Sequence, residues 1–113
     1  MTIPQISDVN RFVEAQTHGS AVAFIDSHAP SSPAILKQLN LLASSTLLDY
    51  SFGFVDAAAV GNQELCRQQD VCVFPIVKFY LPDGKATQDY WIGAEQITEN
   101  ASTSNFSQDW LDG

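Results

Sequence analysis

The apolar positions change their period from segment to segment, and the changes predict alternating helix and strand. Ser7 precedes Asp8, Val9, Phe12 and Val13. That spacing fits one side of a short helix capped by the Ser7 side chain, with an acid in its first turn to complement the helix dipole. Residues 21–26, Ala-Val-Ala-Phe-Ile-Asp, form a continuous apolar run, the pattern of a central parallel strand covered on both faces. Residues 27–33 are rich in proline and capping residues, and Ser32 as N-cap with Pro33 at the first helical position predicts a helix over residues 34–43. Residues 50–56, Tyr-Ser-Phe-Gly-Phe-Val-Asp, alternate large apolar with small side chains before turning apolar, which predicts a second strand of the same sheet.

The second half of the chain reads differently. Residues 62–69 carry helix formers and no breaker, a short helix. Residues 75–81 begin with Pro75 and continue as an apolar strand, proline standing where a missing N–H costs least. Pro82-Asp83-Gly84-Lys85 is a turn, with Pro82 setting φ and Gly84 accepting a positive one, and it joins that strand to residues 86–92 as an antiparallel hairpin. The tail, residues 94–113, is polar until Phe106, Trp110 and Leu111, whose spacing suggests a short closing helix packed on the sheet by its aromatic side.

Composition narrows the function. At 113 residues the chain fits a single domain spanning residues 1–113. A hydrophobic share of 45% against 16% charged is enough to build a core without disulfides or metals. The 13 acidic and 5 basic residues give a formal charge of -8, and the bases are scattered singly. Such a field repels phosphate backbones and anionic lipid, so nucleic acid and membrane are not expected partners, whereas a basic protein partner is allowed. No basic n-region followed by an apolar h-region opens the sequence, and the stretch 34–48 is too short and too polar to span a bilayer. Cytoplasm is the default compartment, and the endoplasmic reticulum the expectation if the chain is a trimmed fragment. The triplets at Asn100 and Asn105 fit the glycosylation pattern and become informative only in that second case.

The order helix, strand, helix, strand, helix, hairpin, helix resembles the thioredoxin-like superfamily, and quotable residues carry the resemblance. Residues 23–30, Ala-Phe-Ile-Asp-Ser-His-Ala-Pro, resemble the strand and the Asp-Phe-Trp-Ala-Pro lead into that family's active site. Phe54-Val55-Asp56 is similar to the Val-Asp ending its next strand. Asn62-Gln63-Glu64-Leu65 and Val71-Cys72-Val73-Phe74-Pro75 resemble its Asn-Pro-Glu-Leu and Val-x-Gly-Phe-Pro segments, and residues 78–85 its hairpin. The resemblance implies an α/β fold with a central mixed sheet of four to five strands, flanking helices, and a cis Phe74–Pro75 bond before the hairpin.

One departure sets the functional expectation. Where the family places Trp-Cys-x-x-Cys, this chain has Ser31-Ser32-Pro33-Ala34-Ile35, and no cysteine precedes Cys66. Thiol-disulfide exchange needs a thiolate, which a serine hydroxyl cannot replace because it is scarcely ionised at neutral pH. The resemblance therefore implies a redox-inactive domain that binds protein or peptide, acting as a chaperone or assembly module, similar to the non-catalytic domains of protein disulfide isomerases. The implied groove lies between the loop carrying His28, Pro30, Ser31 and Ser32 and the turn carrying Phe74 and Pro75. No catalytic residue and no cofactor is implied.

The remaining candidates carry bland alternatives. Asp26 matches the family's buried acid, vestigial without a thiol above it; otherwise it is a strand-end acid bonded to local backbone. Cys66 and Cys72 are the only thiols, and the alternative function is a thiol-disulfide oxidoreductase or relay using one of them. Two cysteines six positions apart form either a structural disulfide or redox pair, if their Cα atoms fall within about 7 Å, or buried or half-buried free thiols. Some protein disulfide isomerase domains have a cysteine where Cys66 stands, but their partner position is Ala59 here, so that bridge is not carried over. His28 near Ser31 and Ser32 suggests hydrolysis only weakly, without oxyanion motif or third partner. The two histidines and two cysteines lack the paired spacing of a zinc site, and His18, before Gly19, reads as a solvated turn residue.

Overall fold

A computed structural model of the chain describes residues 3–15, 18–44 and 51–102. Its elements are α1 (Val9–Glu14), β1 (Ser20–Ile25), α2 (Ser32–Ala43), β2 (Ser51–Asp56), α3 (Asn62–Gln68), β3 (Ile76–Tyr80), β4 (Ala86–Ile92) and α4 (Ala94–Ser102). The strands form one four-stranded sheet in the order β2-β1-β3-β4. β1 and β2 run parallel, from Ser20 opposite Ser51 to Ile25 opposite Asp56, with α2 as the crossover that a parallel pair requires. β3 returns antiparallel to β1, and β4 antiparallel to β3. This is the mixed sheet flanked by helices that the sequence predicts, and β4 keeps its predicted bounds.

The unbroken apolar run of β1 has a direct cause. All of its residues are buried, because the sheet separates two cores. Ala21, Ala23 and Ile25 join Ile35, Leu39 and Leu42 of α2 and Ile97 of α4 on one face. Val22 and Phe24 join Val9 and Val13 of α1 and Cys66 of α3 on the other. Phe24 and Phe79 are fully buried, each contributing on the order of 1.5–3 kcal/mol by leaving water. Phe79 also meets Trp91 edge-to-face, ring centroids 5.0 Å apart and planes at 70°.

Chain residues before α1 complete the sheet's far edge. The Ile6 N–H donates to the Phe54 carbonyl at 2.7 Å and the Phe54 N–H to the Pro4 carbonyl at 3.0 Å, a short parallel bridge beside β2 that covers an edge otherwise open to pairing. Gly53 makes the close approach feasible: a Cβ there would lie 2.3 Å from Ile6 Cδ1. At the hairpin, Gly84 adopts φ 91° and the Lys85 N–H donates to Asp83 Oδ1 at 2.9 Å.

Three local expectations are corrected. The cap of α1 is Asp8, whose Oδ1 accepts the Arg11 N–H at 3.1 Å; Ser7 lies one residue too early to reach the first free N–H groups. α2 starts at Ser32, with Ser31 as N-cap in the helical region and no side-chain cap bond. The polar tail predicts a closing helix only around Phe106, Trp110 and Leu111, yet α4 occupies residues 94–102. Its apolar stripe is only Ala94, Ile97 and Ala101, and Ile97 alone supplies a large side chain to the core. Tyr50, Asn105 and the cluster Phe106, Trp110 and Leu111 lie outside the described residues. Among the described residues no helix is long and apolar enough to cross a membrane.

Candidate functional site

Two turns at the carboxyl ends of the parallel strands frame the site, the place where open α/β sheets bind ligands. After β1, Asp26 folds the chain back on itself. Its Oδ1 accepts the His28 N–H at 2.9 Å, and its carbonyl accepts the Ala29 N–H at 2.9 Å and the Ser32 hydroxyl at 2.5 Å. Ser32 is 4% exposed, and its hydroxyl is committed to closing this turn, which is why it does not cap α2. Asp26 is half-buried, a strand-end acid bonded to local backbone, where the resemblance implied a buried one.

After β2 the same turn recurs around Asp56. Its Oδ1 accepts the Ala58 N–H at 3.0 Å, and its carbonyl accepts the Ala59 N–H at 3.1 Å and Asn62 Nδ2 at 2.9 Å. Asp56 does more, because Oδ1 also accepts the Ser27 N–H at 3.1 Å and so ties the two turns together. Burial alone would push its carboxyl up. The hydrogen bonds from the Ser27 hydroxyl and from the Ala58 and Ser27 N–H groups, with the nearby His28 charge, outweigh burial and hold it below its ordinary value.

Between these turns, α3 and the segment before β3 lies a cleft of about 520 Å³, lined by Asp26, His28, Ala57, Ala58, Gln63, Cys66, Val71 and Phe74. Its floor is fixed by the turn after α3, where Asp70 adopts φ 59°. The Cys66 carbonyl accepts the Val71 N–H at 2.9 Å, and Gln69 accepts Lys78 Nζ on its carbonyl at 2.7 Å and the Tyr80 hydroxyl on Oε1 at 3.0 Å. Burial pushes the Tyr80 phenol well up. The Phe74–Pro75 peptide bond is cis, and the Pro75 carbonyl accepts the Gly93 N–H at 2.8 Å. Phe74 is 39% exposed, and its backbone N–H and carbonyl bond to no other described residue.

No family model and no curated protein matches the sequence, whereas many solved structures match the coordinates. Thioredoxin f2 of Chlamydomonas reinhardtii superposes with a TM-score of 0.70 at 19% identity, over 91% of this chain and 96% of that one. The fold is thioredoxin-like. A Plasmodium falciparum thioredoxin gives 0.73 at 15% identity, over 93% of this chain and 100% of its own, and a designed protein gives 0.77 at 17% over all of both chains. At these identities the likeness is one of fold.

Within this thioredoxin-like frame, the groove residues expected from sequence divide. His28 and Phe74 line the cleft; Pro30, Ser31, Ser32 and Pro75 do not. Pro30 is exposed and Pro75 half-buried, whereas Ser32 faces inward and leaves the set. Cys66 and Cys72 are both free. Cys66 lines the cleft but is 4% exposed, and burial pushes its thiol up, the opposite of an activated nucleophile. Cys72, expected to be buried or half-buried, is exposed instead, because it lies in the irregular segment between α3 and β3, and it lines no part of the cleft. His18 is exposed. Sequence reasoning missed Ala57, Ala58, Gln63 and Val71, and the only signal for Asp56 was its place at a strand end. Among the described residues no group of three or more His, Cys, Asp or Glu side chains is placed to hold a metal ion.

Proposed function

We propose that this chain is a redox-inactive thioredoxin-like module that binds an extended segment of a partner protein along the Phe74–Pro75 turn and over the adjoining cleft, as a chaperone or assembly domain. One observation carries the reading: beside a cleft of about 520 Å³, the exposed residue Phe74 has a backbone N–H and carbonyl unpaired among the described residues. An extended peptide satisfies both groups by strand addition while its side chains enter the cleft. Titration with reduced, carboxymethylated α-lactalbumin, an unfolded probe, is expected to shift the amide resonances of Ala57, Ala58, Val71 and Phe74. Shifts confined to other surfaces reject the site.

The competing reading is a thiol oxidoreductase or relay through Cys66 or Cys72. Disfavouring it are the burial of Cys66, which raises its thiol, and the serines of the loop after β1. Thiol titration of the native protein is expected to show Cys72 reacting fast and Cys66 only on unfolding. Insulin reduction abolished by Cys66→Ser would reverse the assignment.

A further inference from the structure

The cleft joins one under-used carboxylate to apolar walls. Among the described residues, Asp26 accepts only the His28 N–H on its carboxylate, at Oδ1, whereas Asp56 is engaged by Ser27 and Ala58. No Lys or Arg lines the cleft. Ala57, Ala58 and Val71 supply apolar wall, and Phe74, a residue 39% exposed, adds an aromatic side chain to the lining. The chain as a whole carries a formal charge of -8, so a cationic segment is drawn toward it.

We propose that this cleft receives an arginine side chain of the bound segment, its guanidinium paired with the Asp26 carboxylate and stacked on the Phe74 ring, its aliphatic stem against Ala57, Ala58 and Val71. This rests on the groove reading above and names what that groove selects. Arginine fits better than lysine, because its planar fork pairs with a carboxylate through two bonds, stacks on aromatic faces, and sheds water more readily than an ammonium. The stem lies along apolar surface while the charge stays at the carboxylate.

The test uses two capped peptides, acetyl-Gly-Ala-Arg-Ala-Gly-amide and the same peptide with citrulline, which keeps the shape of arginine and removes its charge. Calorimetry is read together with amide shifts. The arginine peptide is expected to bind about tenfold tighter than the citrulline peptide, the worth of one charge-assisted pair at a half-buried site. Asp26→Asn retains an oxygen for the His28 N–H and is expected to bring the two peptides together. Glu95→Gln removes the same unit charge from an exposed position on α4, on the other side of the sheet, and is expected to leave the preference intact. Equal affinity of both peptides, with shifts at Ala57, Ala58 and Phe74, overturns the arginine inference and leaves the groove standing. Asp26→Asn acting no more strongly than Glu95→Gln also overturns it. The absence of cleft shifts with either peptide sinks both.

Discussion

The two turns that leave the parallel strands share one backbone design and differ in what their side chains leave open. In each, a strand-end aspartate accepts the N–H two residues on, its carbonyl accepts the N–H three on and a side chain six on, and a helix begins at that sixth residue. The turn after β2 then saturates its carboxylate by adding Ser27 of its neighbour. The turn after β1 does not, and its Asp26 faces the cleft. A repeated local fold thus separates a carboxylate that ties two turns together from one that carries a single hydrogen bond and lines the cleft.

The largest expected effect follows from that asymmetry. Asp56→Ala strips the acceptor from two backbone N–H groups and uncouples the turns, and is expected to cost about 2 kcal/mol in chemical denaturation, against about 1 for Asp26→Ala. Equal costs would break the comparison. The pH dependence sharpens it. Because the folded Asp56 carboxyl is held below its ordinary value, its ionised form stabilises the fold above about pH 4, and that contribution is lost as pH falls through the folded value. The stability gap between wild type and Asp56→Asn is therefore expected to be full at neutral pH and to close on acidification. A gap that widens on acidification contradicts the assignment.

The second contrast lies one residue before each helix. Gly61 adopts φ 90° and a Cβ there would meet nothing within 4 Å, so Gly61→Ala costs only the left-handed conformation, about 1–2 kcal/mol. Ser31 holds the equivalent place at φ -79° and makes no side-chain cap bond, so Ser31→Ala is expected to lie within about 0.5 kcal/mol of wild type. Thermal unfolding of the two variants side by side measures the difference.

What could be seen in the sequence follows the strength of each physical signal. The fully apolar β1 and the Pro82 to Lys85 turn announced themselves, since a strand between two cores and a turn with proline and glycine leave few alternatives. α4 did not, because a helix that anchors itself through Ile97 and two alanines carries almost no periodic signal. At the site, His28 and Phe74 were legible through family resemblance. Ala57, Ala58 and Val71 were not, being small or ordinary apolar residues whose role comes only from where the turns bring them. Ser32 is not the cap that its place before Pro33 suggests, because the sequence does not show that its hydroxyl meets the Asp26 carbonyl instead.

The narrowest contrast, about 0.5 kcal/mol between two variants, concerns the side chains that close each turn, and it separates structure from site. Ser32 is 4% exposed, so Ser32→Ala removes a buried hydrogen bond, but the Asp26 carbonyl keeps its bond from the Ala29 N–H; the expected cost is about 1 kcal/mol. Asn62 is half-buried and water can take its place, so Asn62→Ala is expected to cost about half as much. Neither hydroxyl nor amide lines the cleft, and peptide affinity should be unchanged in both variants. A loss of affinity in Ser32→Ala with stability little changed would return this serine to the groove, because a hydroxyl that only closes a turn cannot weaken binding without first weakening the fold.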